Sequence, residues 1–370
     1  MLDLFGGVGG FSLGAARAGF SIVGSVDNDP HAIKLLRINF PNTLHLQADV
    51  NSLTSAEIRT FFKIEKNELD GVIGGPPCQG FSHIGQNDKD DPRNELFVHF
   101  FKIVADLKPI FFLVENVPGL LAEKNSRFLK AAYSLIDGHY DMLPPMNLAA
   151  HRYGAPTNRT RIFLFGYCPG RMSRLSVDDF QPKEETETVL VRDAFKGLSK
   201  KINPDWQAEE DGWRKIGKAI DNEFGLRLQG LIPHGVGDDE AIDLLKKERL
   251  VSGCLGTRHT QEVLKRFASI KQGEKDNVSK CIRLKYDGFC PTLRAGTGSD
   301  HGSYQAVRPL HPTENRVITP REAARLQGFP DWFQFSPTKW HSFRLIGNSV
   351  SPILAESIFA VIYNALDSKT

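Results

Sequence analysis

A cysteine in a turn rich in proline and glycine is the residue of this chain best suited to covalent chemistry. Cys78 lies in the segment Gly74-Gly-Pro-Pro-Cys-Gln-Gly-Phe-Ser82, directly after an apolar run that predicts a buried strand. Two prolines restrict the backbone before the thiol, and glycines on both sides permit a substrate to approach closely. A thiolate held at the carboxyl end of a strand can act as a nucleophile. A small buried hydrophobic side chain is the usual role of a free cysteine, but this rigid setting favours the reactive one.

A carboxylate and two arginines at the ends of later strands could assist such a nucleophile. Glu115, in Glu115-Asn-Val-Pro-Gly119, could act as an acid or hydrogen-bond the edge of a base. Arg159 and Arg161 alternate into the strand at Ile162, so a period of two places both on one face. There they could clamp a phosphate or a carbonyl oxygen of the substrate. The alternatives are a solvated strand end for the glutamate and a solubilising role for the arginines.

A turn rich in glycine near the start of the chain predicts a ligand site. Asp3-Leu-Phe-Gly-Gly-Val-Gly-Gly-Phe11 follows the first strand and opens a helix, and its glycines let the backbone approach a ligand. Asp27 ends the next strand, about 20 residues on, where a carboxylate can accept hydrogen bonds from ribose, and Asp49 ends a third. The spacing does not fit G-x-G-x-x-G and no Walker lysine follows, so S-adenosylmethionine is favoured over a dinucleotide. Helix capping is the alternative for both aspartates, although Asp29 suits that role better than Asp27.

The elements that position these residues predict the fold class. In residues 1–169 short apolar strands alternate with helices, one capped at Asp29 and one opened by a capping box at Thr54. This alternation indicates an α/β fold with a doubly wound, mostly parallel sheet, which binds ligands at the carboxyl ends of its strands. Residues 170–315 lack the pattern and predict an inserted second domain. Residues 316–370 return to the first domain through a capping box at Thr319 and a C-terminal helix that follows Ser351.

The composition of the chain is that of a globular protein. The 370 residues are 41% hydrophobic and 24% charged, and a net charge of +2 neither indicates nor excludes DNA as a partner. The 5 cysteines form no C-x-x-C pair, so we expect no metal site. We also find no secretory signal and no apolar stretch long enough to cross a membrane, and we therefore expect a cytoplasmic protein.

A series of motifs, taken in order, resembles the bacterial DNA (cytosine-5)-methyltransferases. The motifs are the opening at residues 3–11, Pro76-Pro-Cys-Gln79, Glu115-Asn-Val117, Arg159-x-Arg161, Arg321-Glu-Ala-Ala-Arg-Leu-Gln-Gly-Phe-Pro330 and Gly347-Asn-Ser-Val350. The resemblance implies the S-adenosylmethionine-dependent methyltransferase fold with a smaller target-recognition domain at residues 170–315. It also implies methyl transfer from that cofactor to carbon 5 of a cytosine that is flipped out of a specific duplex sequence, through a covalent adduct with Cys78.

The same resemblance assigns roles to individual residues. Cys78 would be the nucleophile and Glu115 its acid partner, while Arg159 and Arg161 would position the ring and the catalytic loop. Phe5 would contact the adenine, Asp27 the ribose and Asp49 the adenine edge. The remaining cofactor residues would be Gly7, Val8, Gly9, Gly10, Asn28, Val50, Pro77, Leu96, Asn348, Ser349 and Val350. DNA contacts would come from Gln79, Ser82, Thr292, Leu293 and Arg294, with Arg258 and Arg283 as further candidates.

Three positions depart from the pattern of the family. Thr157 stands where a glutamine often precedes the arginine pair, which puts the usual contact of that residue in doubt. Asp27 replaces a more frequent glutamate, and Asn28 replaces a hydrophobic residue that often packs on the adenine. We therefore expect weaker stacking on the cofactor but an intact site.

Alternatives of other classes remain. An RNA methyltransferase of the related tRNA-modifying branch would carry a Cys-Phe-Thr element in its second domain, which we do not find, and Gly80 favours the DNA branch. A catalytically silent DNA-binding protein would not need the intact Cys78 and Glu115. A methyltransferase acting on exocyclic amines usually has an aromatic residue where Cys78 stands. We expect a monomer acting on double-stranded DNA, either alone or beside a cognate restriction endonuclease.

Overall fold

The computed structural model describes residues 1–65, 68–77, 93–218, 220–294 and 308–367. Its strands are β1 (Leu2–Asp3), β2 (Gly24–Asp27), β3 (Leu44–Gln47), β4 (Gly71–Gly74), β5 (Phe111–Asn116), β6 (Asp141–Met142), β7 (Met146–Ala149), β8 (Thr160–Tyr167), β9 (Arg214–Lys215) and β10 (Leu250–Val251). Its α-helices are α1 (Gly10–Arg17), α2 (Pro30–Asn39), α3 (Ser55–Phe62), α4 (Arg93–Leu107), α5 (Ser126–Ser134), α6 (Val191–Phe195), α7 (Glu223–Gln229), α8 (Asp239–Asp243), α9 (Gln261–Ser269), α10 (Pro320–Gln327), α11 (Lys339–Asn348) and α12 (Pro352–Asp367).

One mixed sheet carries most of the strands. Its parallel part has the spatial order β3-β2-β1-β4-β5. Strand β8 pairs antiparallel with β5, and β6 and β7 both pair antiparallel with β8. The chain winds outward from β1 to β3 and then returns to β4 on the other side of β1. This confirms the predicted doubly wound, mostly parallel fold, and it places the point where the winding reverses, which is the usual ligand site, between β1 and β4.

Local sequence signals begin three of the helices where they were predicted to. The side chain of Asp29 caps α2, and capping boxes at Thr54 and Thr319 open α3 and α10. The first strand ends at Asp3, where the turn rich in glycine begins. Oδ1 of Asp3 accepts a hydrogen bond of 3.3 Å from the backbone N–H of Phe5, which turns the chain out of the sheet.

The two ends of the chain pack together in the core. Helix α12 lies against α1, and the contact is close because a Cβ at Gly14 would lie only 2.3 Å from the Cβ of Ala355. The apolar face of α12 is buried at Ile353, Leu354, Ile358, Ile362 and Ala365, and Val361 is half-buried. Apolar residues of the second region, such as Phe180 and Leu228, belong to the same core cluster. The proposed domain boundaries therefore stay a prediction.

One expectation about membranes was wrong. The segment Lys339–Leu366, which contains α11 and most of α12, is long and apolar enough to cross a membrane by length and composition. However, most of its apolar part is buried inside the protein. Its apolar side chains therefore already have partners in the core, as in a buried helix of a globular protein.

Candidate active site

A cavity of about 290 Å³ opens at the carboxyl ends of β1, β2, β4 and β5. Its position is the winding reversal between β1 and β4, and the last turn of α11 closes one side. The predicted residues that line it are Phe5, Gly7, Val8, Gly10, Asp27, Asn28, Asp49, Val50, Pro77, Leu96, Glu115, Arg159, Arg161, Asn348, Ser349 and Val350. The structure thus brings motifs from both ends of the chain to one cavity.

The lining also contains residues that the motif analysis missed. They are Gly6, Phe11, Asp29, Ala48, Gly75, Pro76, Val117, Arg344 and Leu345. Most of them are sequence neighbours of predicted residues. Arg344 is different, because its guanidinium forms an ion pair with Asp29 across the cavity rim. Its spacing of four residues from Asn348, on one face of a helix, is the signal that could have found it.

The glycines of the opening turn have separate roles. Gly7, with φ +53°, has no atom within 4 Å of an added Cβ and leaves the cavity open. At Gly10 an added Cβ would lie 2.1 Å from Oγ of Ser349 and 2.4 Å from the carbonyl oxygen of Val350, so the two motifs fit together only with glycine there. Gly9 is not among the lining residues, and an added Cβ would lie 2.4 Å from the ring of Phe40. Its predicted cofactor contact stays a prediction.

Two aspartates place carboxylates at the ends of β2 and β3. Asp27 accepts hydrogen bonds from the backbone N–H of Gly7 at 2.7 Å and of Asp29 at 2.9 Å. Burial raises the pKa of Asp27, and these two bonds oppose that rise. Each carboxylate oxygen has a second lone pair, so Asp27 can still accept from a hydroxyl group. Asp49 accepts from the N–H of Asn51 at 2.9 Å, so the capping role considered for it is present, and it lines the cavity as well.

Glu115 is held by Arg161. Oε1 of Glu115 lies 2.7 Å from Nε of Arg161, and the two side chains are only 10% and 15% exposed. The glutamate is the second-to-last residue of β5. The antiparallel pairing of β8, in which Glu115 faces Phe163, carries the arginine to the same end of the sheet. Burial strengthens an ion pair because less water screens it. The pair therefore fixes the carboxylate at the cavity wall.

Arg159 joins β8 to the C-terminal motif. Its buried guanidinium donates hydrogen bonds to the carbonyl oxygens of Gly347, at 2.8 Å, and Asn348, at 3.1 Å. These carbonyls belong to the last turn of α11, where the helix dipole favours a positive charge. Arg159 and Arg161 line the same cavity, as their alternation predicts. The partners described above for both arginines are groups of the protein and not of a substrate.

The proline turn that leads to Cys78 is tied to β5. The buried side chain of Asn116 donates a hydrogen bond of 3.3 Å to the carbonyl oxygen of Pro76. An added Cβ at Gly75 would lie 3.1 Å from Oε2 of Glu115, so glycine lets the turn approach that carboxylate. The described turn ends at Pro77, in the cavity lining.

Three of the predicted substrate-contacting residues cannot be placed. Cys78, Gln79 and Ser82 lie outside the described residues. The roles given to them by the resemblance therefore stay predictions.

The Thr-Leu element lies beside the start of β8 and is not part of the cavity lining. Thr292 donates from its hydroxyl to the carbonyl oxygen of Asn158 at 3.4 Å, Leu293 is buried and Arg294 is exposed. Thr157, the departure from the family pattern, donates from Oγ1 to the carbonyl oxygen of Cys290 at 3.2 Å. This threonine therefore helps to anchor the second region to the arginine pair.

The two other candidate DNA contacts have different surroundings. Arg258 has a side chain that is 73% exposed and pairs with Asp205. Arg283 is only 4% exposed. Its guanidinium donates to the carbonyl oxygens of Phe267, His311 and Glu314 and to Oδ1 of Asn315. The interpretation of Arg283 as a DNA contact was wrong, because all these acceptors lie inside the protein and hold the side chain away from the surface.

Known proteins resemble this chain over its full length. Residues 1–364 match the family model of the C-5 cytosine-specific DNA methylases. The type II methyltransferase M.XorII of Xanthomonas oryzae pv. oryzae is 40% identical over 376 residues, which cover 100% of this chain and 85% of that protein. The crystal structure of a prophage-encoded Escherichia coli protein, assigned as a DNA modification methyltransferase, is 50% identical and has a TM-score of 0.90 over 99% of both chains. The Dnmt2 methyltransferase of S. pombe has a TM-score of 0.62 at 18% identity, over 99% of this chain and 98% of that one, which shows a common fold alone.

Proposed function

Because the chain belongs to the C-5 cytosine-specific DNA methylase family, we propose that it methylates carbon 5 of a flipped-out cytosine in a specific duplex sequence, with S-adenosylmethionine as donor. The enzyme is a DNA (cytosine-5)-methyltransferase. One observation carries the finer proposal. Pro77, the residue before Cys78, lines the same cavity as Glu115 and the carboxylate of Asp27. A nucleophile, an acid and a cofactor site would then meet at one place.

The lining fits the proposed cofactor. Aromatic and aliphatic side chains can enclose an adenine, and they are Phe5, Val8, Val50 and Leu96. Asp27 and Asp49 can accept hydrogen bonds from ribose hydroxyls and from the adenine edge. The spacing of the glycine turn does not fit that of a dinucleotide site, which favours an adenosyl group without a pyrophosphate. S-adenosylmethionine supplies an electrophilic methyl group on its sulfonium.

The proposed chemistry makes carbon 5 of cytosine nucleophilic. The thiolate of Cys78 forms a bond to carbon 6, and electron density moves into the ring. Glu115 hydrogen-bonds or protonates ring nitrogen 3 and so stabilises the charge that develops. Once carbon 5 carries its methyl group, it loses its proton, the bond between sulfur and carbon 6 breaks, and the aromatic ring and the thiolate are restored. A stacked base is out of reach, so the cytosine must be flipped out at a cost of a few kcal/mol.

The two arginines act as positioning residues in this proposal. Arg161 holds the carboxylate of Glu115, and Arg159 holds the backbone of Gly347 and Asn348 against the cavity. Both place groups that would otherwise move, which is how an enzyme site keeps its geometry before substrate binds.

The partner in this proposal is double-stranded DNA. Residues 170–315 would recognise the target, with Thr292, Leu293 and Arg294 near the DNA together with Gln79 and Ser82. The type II name of M.XorII supports a restriction-modification context, with a cognate endonuclease acting on the same site. We propose a monomer in the cytoplasm, where the DNA of a bacterium lies.

Replacement of Cys78 by serine tests the proposal. The wild type should transfer tritiated methyl groups from S-adenosylmethionine to duplex DNA but not to tRNA, and it should form a covalent complex with DNA that contains 5-fluorocytosine. Cys78→Ser should lose both properties and keep its affinity for the cofactor, because serine is a far weaker nucleophile. The control Cys168→Ser, at a thiol directly after β8 and outside the cavity lining, should keep both. Transfer to tRNA would support the RNA branch, and the absence of a wild-type adduct would support a silent DNA-binding protein.

A further inference from the structure

Three basic side chains come together outside the active-site cavity. They belong to His259, Arg308 and Lys339, and none of them lines that cavity. Nζ of Lys339 donates hydrogen bonds to the carbonyl oxygen of Gly256, at 2.5 Å, and to Oγ1 of Thr257, at 2.9 Å. The cluster therefore joins the second region, at residues 256–259, to the first turn of α11.

Within the part of the chain that the structure describes, the cluster has no carboxylate partner. Burial, together with the nearby charge of Arg308, lowers the pKa of Lys339 to about 8. Burial also lowers the pKa of His259, and the charges of Lys339 and Arg308 add to the effect. In residues 1–65, 68–77, 93–218, 220–294 and 308–367 no carboxylate forms an ion pair with any of the three. By contrast, the neighbouring Arg258 does have a carboxylate partner, which is Asp205.

Hydrogen-bond donors of the cluster are also unused. Nε of Arg308 and Nε2 of His259 are buried and have no hydrogen-bond partner among the described residues. The guanidinium of Arg308 lies over the ring of Phe343, 4.9 Å from its centroid, which holds the plane of its donors in one orientation. The side chain is thus fixed without a protein acceptor for its Nε–H.

Such an arrangement is unfavourable without an anion. Removing a cation from water costs several kcal/mol unless an opposite charge compensates it. Lys339 is also the first residue of α11, where the helix dipole disfavours a positive charge. The ring of Trp206, whose centroid lies 5.3 Å from Nζ of Lys339, offsets part of this cost, and a bound anion would offset more of it.

We propose that His259, Arg308 and Lys339 form a binding site for a phosphate group of the DNA backbone. This rests on the proposed function, since a DNA methyltransferase must hold a polyanion. Arg308 and His259 would donate to the phosphate oxygens, whereas Lys339, whose Nζ already has two partners, would supply charge. The site lies between the second region and the start of α11, and the last turn of that helix lines the cavity about 15 Å away, at 1.5 Å per residue. One phosphate would thereby fix the second region relative to the active site.

Salt dependence of DNA binding tests the site. Binding of a mixed-sequence duplex is measured by fluorescence anisotropy over a series of salt concentrations, for Arg308→Met, His259→Gln and the control Lys247→Met. Lys247 is exposed and pairs with Asp243, so its variant removes the same charge from a site with a counter-ion. Arg308→Met should weaken binding about fivefold and reduce the slope of log K against log[salt] by about 0.9, the value for one phosphate contact. His259→Gln should have a smaller effect in the same direction, and Lys247→Met should have none.

Three outcomes would overturn the proposal. The first is an unchanged slope in both cluster variants. The second combines two results: inorganic phosphate at matched ionic strength stabilises the wild type but not Arg308→Met against heat, and the two proteins bind DNA equally well. This would indicate a site for free phosphate. The third is a large fall in the Tm of Arg308→Met without DNA, since removal of a repelled cation should leave the Tm equal or higher. The assay needs no methyl transfer, so failure of the proposed catalytic function would be seen separately, in the tritium assay of the wild type.

Discussion

Replacement of Gly10 by alanine should disturb the cavity wall where the two ends of the chain meet. Gly10 begins α1, and an added Cβ would lie 2.1 Å from Oγ of Ser349 and 2.4 Å from the carbonyl oxygen of Val350. The serine side chain could rotate away. The carbonyl could not, because it belongs to a backbone that Arg159 holds through Gly347.

The size of the effect follows from these distances. Ordinary contact of a Cβ begins at 3.4 Å, so the Val350 carbonyl would have to move by about 1 Å. Overpacking of this kind costs about 1–3 kcal/mol. The displaced segment carries Asn348, Ser349 and Val350, which all line the cavity. A loss of about 2 kcal/mol in cofactor binding corresponds to an increase of about 30-fold in Kd.

Isothermal titration calorimetry with S-adenosylmethionine and urea unfolding would measure both effects. The matched control is Gly14→Ala in the same helix, where the added Cβ meets Ala355 on α12. It should lose stability with a much smaller change in Kd, because Gly14 and Ala355 do not line the cavity. Full rescue of Gly10→Ala by Ser349→Ala, or an unchanged Kd in Gly10→Ala, would refute the reasoning, since the backbone contact would then be unimportant.

Two further predictions concern buried carboxylates. Arg161→Met should lower the free energy of unfolding by about 2 kcal/mol, because it leaves Glu115 buried without its partner. Adding Glu115→Gln to this variant should restore at least half of the lost free energy. A double variant no more stable than Arg161→Met would contradict the pairing. Burial raises the pKa of Asp3 to about 6 from 3.8, so the stabilising contribution of this group is present below about pH 4 and is lost as the pH rises through about 6. Asp3→Asn should therefore gain up to about 3 kcal/mol relative to the wild type between about pH 4 and pH 7, at about 1.4 kcal/mol per pKa unit. Urea unfolding at each pH measures this, and a difference that does not change with pH would contradict it.

Much of the site could be predicted because its determinants are local. The carboxyl ends of parallel strands meet at one edge of a sheet, so motifs that follow strands converge there whatever the rest of the chain does. Asp27, Glu115 and Pro77 were placed in this way, and all three line the cavity. The cap at Asp29 likewise depends on groups within a few residues.

Other features depend on contacts that leave no mark on the local sequence. Arg159 bonds to carbonyl oxygens more than 180 residues away along the chain, because α12 packs on α1 and brings the end of α11 back to β8. The antiparallel direction of β8 carries Arg161 to Glu115. The apolar pattern of that strand does not indicate its direction in the sheet.

The sequence by itself determined the order of the motifs, the turns that present them and thus most of the residues that form the cavity. Only the tertiary structure decided what each cation does. Arg283 and Arg308 are the same residue type in the same part of the chain, yet the guanidinium of Arg283 is surrounded by backbone acceptors, whereas that of Arg308 lies over the ring of Phe343 and pairs with no carboxylate of the described residues. The physical reason is that every residue carries a carbonyl acceptor, so only the folded arrangement decides which cations donate hydrogen bonds to such groups.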